Sequence, residues 1–182
     1  MKNNLKPYIK LMEKASPLII THKDGTYYVS DSYAVLAVPE TVFQTILMPL
    51  SPLMRETPDG TTLRRIGTKE MPTQAPLIDF EKIMTPLNPS YPAPLTGFFM
   101  TDSKFELEIM PTPGNPALID RRYTDAIRAA IPGNIYGECQ SNIKPFFFWD
   151  SATMFRFCVL PVRLFDETYN RIVAFAKALN ID

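Results

Sequence analysis

Proline placement is the feature that most constrains the fold of this chain. The sequence has 18 prolines among 182 residues, against an average proline share of about 5%. Twelve of them lie between Pro49 and Pro116. Because proline lacks a backbone N–H and disfavours helix in the residue before it, long helices are excluded from this middle part. The prolines therefore divide the chain into a first third, a proline-punctuated middle and a last third.

Composition limits the classes of function. Hydrophobic residues make up 46% of the chain, which is enough for one sizeable core. The 19 basic and 19 acidic side chains balance, so attraction to nucleic acid or to acidic membranes requires local clustering of charge. No apolar run approaches the roughly 20 residues that span a bilayer. The two cysteines, Cys139 and Cys158, form neither a disulfide framework nor a metal-ligand set, and they favour a reducing, cytoplasmic location.

The first third predicts a helix followed by a three-stranded meander. Within residues 5–15, apolar side chains recur at helical spacing. The three apolar runs that follow are bounded by turn residues, and the sequence KDG at 23–25 is a hairpin signal. Residues 49–97 predict an extended, partly packed insertion in which regular structure is sparse.

The last third repeats the same order of elements. It predicts a helix over residues 117–131 and then three short strands, "NIYGECQ", "KPFFFWD" and "MFRFCVLPVRL". Pro161 predicts that the last of these strands lies at a sheet edge, where no N–H donor is needed. A final helix is predicted over residues 166–180, with its apolar side packed on other apolar surface.

The predicted fold class is therefore α+β, with duplicated units of one helix plus an antiparallel β-meander. We expect a single domain over residues 1–182. Its expected parts are a first unit (1–48), a Pro-rich insertion (49–103), a second unit (104–164) and an added C-terminal helix (165–182).

This order of elements resembles the duplicated unit of DNA sliding-clamp domains, mainly over residues 104–164. In the bacterial clamp family the last domain has a helix, short strands and an apolar strand that closes in Met-Pro-Met-Arg-Leu. Here "DRRYTDAIRAAI", "NIYGECQ", "KPFFFWD" and "FCVLPVRL" follow in that order, and "LPVRL" at Leu160–Leu164 is similar to the closing signature.

The resemblance implies a non-enzymatic, clamp-like protein that acts as a DNA-sliding or replication-associated factor of a mobile element. The residues themselves contain no metal-ligand set and no Gly-rich phosphate loop, so we expect neither a metal nor a cofactor. A clamp ring is built from several such domains, so the resemblance also implies a homo-oligomer. Double-stranded DNA would be bound without sequence preference, and peptides of a polymerase or other replication protein would dock on the outer surface. No membrane contact is implied.

In a clamp the helices face the DNA and present cations to phosphates. The corresponding candidates for DNA binding are Lys6, Lys10 and Lys14 on the first helix and Arg121, Arg122 and Arg128 on the second. A spacing of four or seven residues keeps such side chains on one helix face. Lysines on the exposed face of an amphipathic helix are also a common surface pattern, and nearby acidic residues dilute both sets.

Other functions remain open on the sequence alone. One alternative is a protein-interaction or regulatory module on the same fold, with no DNA binding. An enzyme ranks last, because no convergent acid, base and nucleophile are visible. His22 is expected to be exposed beside its turn, and the FFFW sequence at 146–149 is expected to be core rather than a base-stacking platform.

Overall fold

The computed structural model describes residues 4–73, 78–85, 88–102, 105–150, 155–164, 166–178 and 181. Their α-helices are α1 (Lys6–Glu13), α2 (Glu40–Val42), α3 (Phe80–Met84), α4 (Arg121–Ala130) and α5 (Asp166–Ala178). Helix α2 continues as a π-helical turn (Phe43–Leu47) and a 3-10 turn (Met48–Leu50). The strands are β1 (Leu18–Lys23), β2 (Thr26–Ser30), β3 (Ala34–Pro39), β4 (Thr61–Ile66), β5 (Lys69–Thr73), β6 (Tyr91–Pro92), β7 (Phe99–Asp102), β8 (Phe105–Met110), β9 (Ala117–Asp120), β10 (Tyr136–Cys139), β11 (Phe146–Trp149) and β12 (Arg156–Val159).

Two meanders meet at the centre of one antiparallel sheet. The strand order is β5-β4-β1-β2-β3-β12-β11-β10-β6. Strands β3 and β12, each the third strand of its meander, pair with Leu36 opposite Phe157. The two units are therefore related by a pseudo-two-fold axis between β3 and β12, and the predicted duplication is confirmed.

Helices α1 and α4 lie side by side on one face of this sheet. Their apolar sides, including Tyr8 and Met12 of α1 and Ile127 of α4, join one core cluster with inward side chains of the sheet such as Leu36 and Phe157. The backbone N–H of Asn4 also donates to the carbonyl of Ala129 at 3.0 Å. The corresponding helices of the two units thus share one layer.

The opposite face of the sheet carries a smaller core. Alternate strand residues point there, as the two-residue period of a strand requires. Tyr28, Phe147 and Cys158 form a cluster on this face with Phe80 and Met84 of α3. Burial of Phe146, Phe147 and Phe148 confirms that the FFFW sequence is core.

A second sheet, in the order β7-β8-β9, lies between α4 and α5. Met110 and Ile119 belong to the main core. Leu107, Ile109 and Leu118 instead pack against the last helix, where Ile172 and Ala176 are buried. The apolar side of the C-terminal helix is therefore covered within the chain.

Three sequence predictions differ from the structure. The middle part is richer in regular structure than expected, because the stretch 59–71 lacks proline and forms the β4–β5 hairpin. Residues 117–120 form strand β9, and Asp120 caps α4 by accepting from the N–H of Arg122. Strand β12 is central and ends at Val159, so the edge prediction for Pro161 is wrong.

No helix in the described ranges is both long enough and apolar enough to cross a bilayer.

Candidate nucleic-acid interface

Helix α1 presents its three lysines to solvent. Pro7 occupies its first turn, where a missing N–H costs little. The buried side of the helix is formed by Tyr8, Ile9 and Met12, and this leaves Lys6, Lys10 and Lys14 exposed on the other side. Among the described residues these lysines form no ion pair. Their positive charges are therefore available to a bound anion.

Helix α4 presents its arginines in a different electrostatic setting. Arg121 contacts Glu106 at 3.2 Å and Asp125 at 3.1 Å. Arg122 forms hydrogen bonds with the Asp120 carboxylate through Nε and Nη2, and these raise the pKa of Arg122. A cleft of about 280 Å³ at this end of the helix is lined by both arginines, the three carboxylates and Phe105. The positive charge at this site is thus compensated.

Arg128 joins α4 to the second sheet. Its Nη2 donates to Oε1 of Glu108, whose side chain is 0% exposed. The same Glu108 oxygen accepts from the N–H of Gly97 at 2.8 Å. The guanidinium groups of Arg121 and Arg128 also lie over the Phe99 ring, at 4.3 and 5.6 Å from its centroid. Removing one member of such a buried pair leaves the other charge uncompensated, so Arg128 has a structural role.

A fourth cation lies close to the lysine row and was missed from the sequence. Arg65 of β4 is paired opposite Leu18 of β1, and its Nη2 donates to the carbonyl oxygen of Glu13 at 2.9 Å. This places a positive charge at the C-terminal end of α1, where the helix dipole favours it. The alternation in "TLRRI" puts Leu63 and Arg65 on one face. The pairing of β4 with β1, which brings Arg65 to α1, has no local sequence signal.

The candidate DNA-binding residues therefore fall into two sets. Both sets lie on the helix layer, on neighbouring helices. Within the ranges that the structure describes, Lys6, Lys10 and Lys14 form no ion pair with a carboxylate, and Arg65 lies at the end of their row. The three arginines of α4 are each paired with carboxylates from α4, β8 or the N-cap position.

His22 is buried, so the expectation that it is exposed is wrong. Its Nδ1 lies 2.9 Å from the carbonyl oxygen of Thr57, and its ring stacks on Tyr27 at 4.1 Å. Tyr27 in turn stacks on Phe43 at 3.8 Å. The loop that ends at Gly60 covers this stack, since the N–H of Gly60 donates to the carbonyl of His22. The contacts of His22 hold this loop on the sheet.

Both cysteines are buried and unpaired in the described structure. The described residues contain no group of three or more His, Cys, Asp or Glu side chains arranged to hold a metal ion.

Comparison with known proteins finds no matching family and no matching curated protein. Among solved structures, the chain is similar to a candidate DNA polymerase III beta subunit from Eubacterium rectale ATCC 33656. The identity is 10% and the TM-score 0.44, over 90% of this chain and 67% of that chain. It is also similar to the DNA polymerase sliding clamp from Bacillus subtilis, with 10% identity and a TM-score of 0.44, over 88% of this chain and 62% of that chain.

A third similar structure is the DNA polymerase III subunit beta sliding clamp from Bartonella birtlesii LL-WM9. Its identity is 11% and its TM-score 0.35, over 96% of this chain and 71% of that chain. These structures are of the class that residues 104–164 resemble. The fold class of this chain follows from its own topology, which is α+β with two helix-plus-meander units about one central strand pair.

Proposed function

We propose that this chain is a non-enzymatic, clamp-like protein that contacts double-stranded DNA along helix α1. The contacts are made to phosphates by Lys6, Lys10 and Lys14, with Arg65 at the end of the row. In this role the chain acts in replication, as an oligomer that lines DNA and takes up peptides of a polymerase or another replication protein.

The observation that supports this proposal is the uncompensated lysine row on the helix layer. Non-specific DNA binding needs cations on one surface and no contact with base edges. The chain has no net charge, so DNA affinity depends on such a local cluster. A row of cations on an exposed helix, beside a second helix of the same layer, supplies it.

The arginines of α4 attract phosphates less strongly than the lysines of α1, because each arginine is paired with a carboxylate. A phosphate that approaches Arg121 or Arg122 also approaches Asp120, Asp125 or Glu106. Like charges at such distances repel, and this offsets the attraction of the guanidinium groups. We therefore assign the main phosphate contacts to α1 and the smaller share to α4.

The test is a titration of the full chain against duplex DNA of arbitrary sequence at several salt concentrations. The variant Lys6→Gln/Lys10→Gln/Lys14→Gln is compared with Lys82→Gln/Lys144→Gln/Lys177→Gln, which removes the same charge from exposed sites outside α1 and α4. The slope of log K against log salt should shrink by about 0.9 for each lost phosphate contact. The α1 variant should therefore lose slope and affinity, whereas the control keeps both.

If the two triple variants bind DNA equally well, the lysine row is not a DNA-binding site. A difference in affinity between duplexes of unrelated sequence would contradict phosphate recognition.

A second candidate is a protein-interaction module with no DNA role. The compensated arginines of α4 and the balanced total charge favour it. This candidate predicts that the unmodified chain fails to bind duplex DNA even at about 50 mM salt, where phosphate contacts are strong.

A further inference from the structure

The face of the main sheet opposite α1 and α4 contains an open cavity of about 190 Å³. Its lining includes Met84 of α3, Phe147 and Trp149 of β11, Arg156 of β12 and Glu138 of β10. Cross-strand pairing fixes their arrangement, since Phe147 lies opposite Glu138 and Trp149 lies opposite Arg156. The two charged side chains therefore lie on opposite sides of β11, with the aromatic side chains between them.

The apolar part of this lining has room for one aromatic ring. Phe147 and Met84 are buried members of the smaller core, and Trp149 packs against the same cluster. Tyr136 stacks on Trp149 with the ring centroids 6.2 Å apart, which holds the indole in place. Apolar cavities of about 150 Å³ bind benzene, whereas drug-sized ligands occupy roughly 300 Å³ or more. The cavity of about 190 Å³ is therefore matched to a single ring.

Arg156 gives the cavity a cation without a partner. Its side chain is exposed, and within the ranges that the structure describes its guanidinium forms neither an ion pair nor a side-chain hydrogen bond. The arginines of α4 are instead engaged by carboxylates. Glu138, at the other side of the cavity, accepts from the hydroxyl of Ser90 at 3.0 Å. A guanidinium matches the two oxygens of a carboxylate, so an anionic ligand is drawn to the Arg156 side and repelled by Glu138.

We propose that this cavity binds one aromatic ring that carries a carboxylate. The ring packs on Met84, Phe147 and Trp149, and the carboxylate pairs with the guanidinium of Arg156.

This inference goes beyond the proposed function, because the cavity lies on the opposite face of the sheet from the lysine row and its ligand is not DNA. A ring with a carboxylate beside it occurs in free aromatic acids and in the C-terminal phenylalanine of a protein. The chemistry that the cavity recognises is the same in both.

The first test is a titration of the full chain with phenylacetate and with phenylacetamide, its neutral analogue. Trp149 is the only tryptophan of the chain, so its fluorescence reports binding in this cavity. Phenylacetate should bind with a Kd of about 1 mM, as expected for a ligand of this size. Phenylacetamide should bind about tenfold more weakly, since it cannot form the charged hydrogen bonds. Broadening of the ring-proton signals of phenylacetate on addition of the chain measures the same binding without the tryptophan.

The second test compares Arg156→Gln and Glu138→Gln with the control Arg163→Gln. Arg163 is exposed and lies outside the cavity. Arg156→Gln should weaken the binding of phenylacetate about tenfold and leave that of phenylacetamide unchanged, whereas Arg163→Gln should change neither. Glu138→Gln keeps an acceptor for Ser90 but removes the repulsion, so it should tighten the binding of phenylacetate. Opposite shifts from two conservative substitutions cannot arise from a general loss of folding.

Equal affinities for phenylacetate and phenylacetamide, an unchanged affinity of Arg156→Gln for phenylacetate, or the absence of binding in both measurements would each overturn the proposal. The source of the ligand is decided by competition with the peptide Gly-Gly-Phe, whose C-terminal carboxylate lies next to a phenyl ring. Equal or tighter binding of the peptide than of phenylacetate supports the site with the C-terminus of a partner protein as its ligand, and weaker binding supports it with a free aromatic acid. No titration contains DNA, so failure of this proposal and failure of DNA binding by α1 are separate results.

Discussion

At the scale of single residues, a buried hydrogen bond joins the two units of the chain. The hydroxyl of Tyr123, on α4, donates to Oδ2 of Asp31, which lies between β2 and β3. The other carboxylate oxygen of Asp31 accepts from the N–H groups of Tyr33 and Ala34, at 3.0 and 2.9 Å. Burial, and then the contact with Asp31, raise the pKa of Tyr123. The phenol therefore remains a donor.

The first prediction concerns this contact. Tyr123→Phe should lower the free energy of unfolding by about 1.5–3 kcal/mol, since a hydrogen bond to a buried charged group is lost. The control is Tyr33→Phe. The Tyr33 side chain is 65% exposed, so loss of its hydroxyl should change the free energy of unfolding by less than about 0.5 kcal/mol. Urea unfolding measures both, and equal midpoints for the two variants would contradict the assignment.

The second prediction concerns alkaline pH. Burial raises the pKa of Cys139 to about 11 and that of Cys158 to about 12, from the ordinary value of 9.0. The folded chain therefore keeps these thiol protons at a pH at which the unfolded chain has lost them. Their contribution to stability is complete below about pH 9 and is lost as the pH rises through about 11 to 12.

Urea midpoints measured from pH 8 upward should accordingly fall above pH 9. The urea midpoint of Cys158→Ala should fall less steeply with pH than that of the unmodified chain, because the variant lacks one of the two titrating thiols. The buried tyrosines titrate in both proteins, so the difference in slope isolates the thiol. Parallel curves for the two proteins would show that burial of Cys158 does not hold its proton.

At the scale of elements, strand β6 depends on a glycine in its neighbour. A Cβ atom added at Gly137 of β10 would lie 2.2 Å from the carbonyl oxygen of Ala93 and 3.0 Å from the Phe148 ring. The carbonyl of Gly137 also accepts from the N–H of Ala93 at 2.8 Å. The close approach of the two backbones requires the absence of a side chain.

The third prediction is that Gly137→Ala destabilises the chain by about 1–3 kcal/mol, as overpacking does in a filled core. Gly133→Ala is the matched control, because the nearest atom to its added Cβ is 3.9 Å away. Thermal unfolding of both variants is the measurement. A melting temperature of Gly137→Ala as high as that of Gly133→Ala would mean that β6 does not pack as described.

The elements that sequence predicts well are those with a local signal. Apolar spacing predicts α1, and the turn at 23–25 predicts the β1–β2 hairpin. Strand β9 is missed because its apolar residues continue into the helix pattern, although the N-cap Asp120 marks the boundary. The pairing of β3 with β12 joins residues far apart in sequence, so only the duplicated order of elements suggests it.

At the scale of the whole molecule, a symmetric fold carries an asymmetric charge pattern. The lysine spacing of α1 is visible in the sequence, and its exposure follows from the buried opposite side. The compensation of α4 is not visible, because Glu106 and Glu108 lie on β8, and only the packing of that strand against α4 brings them to Arg121 and Arg128. Arg65 reaches α1 by the same kind of non-local pairing.

The fourth prediction follows from this asymmetry. Arg121→Gln/Arg122→Gln should change the salt dependence of DNA binding less than Lys10→Gln/Lys14→Gln, although each variant removes two charges. The reason is that the guanidinium groups of Arg121 and Arg122 are already engaged by carboxylates and therefore make few phosphate contacts, whereas Lys10 and Lys14 form no ion pair among the described residues. The two double variants are compared in the same titration against duplex DNA. Arg128 is left intact, because its loss would leave the buried Glu108 carboxylate without a partner. The variant could then lose DNA binding through unfolding rather than through loss of a phosphate contact. A larger loss of slope for the α4 variant than for the α1 variant would reverse the assignment and place the DNA contact on the arginine side of the helix layer.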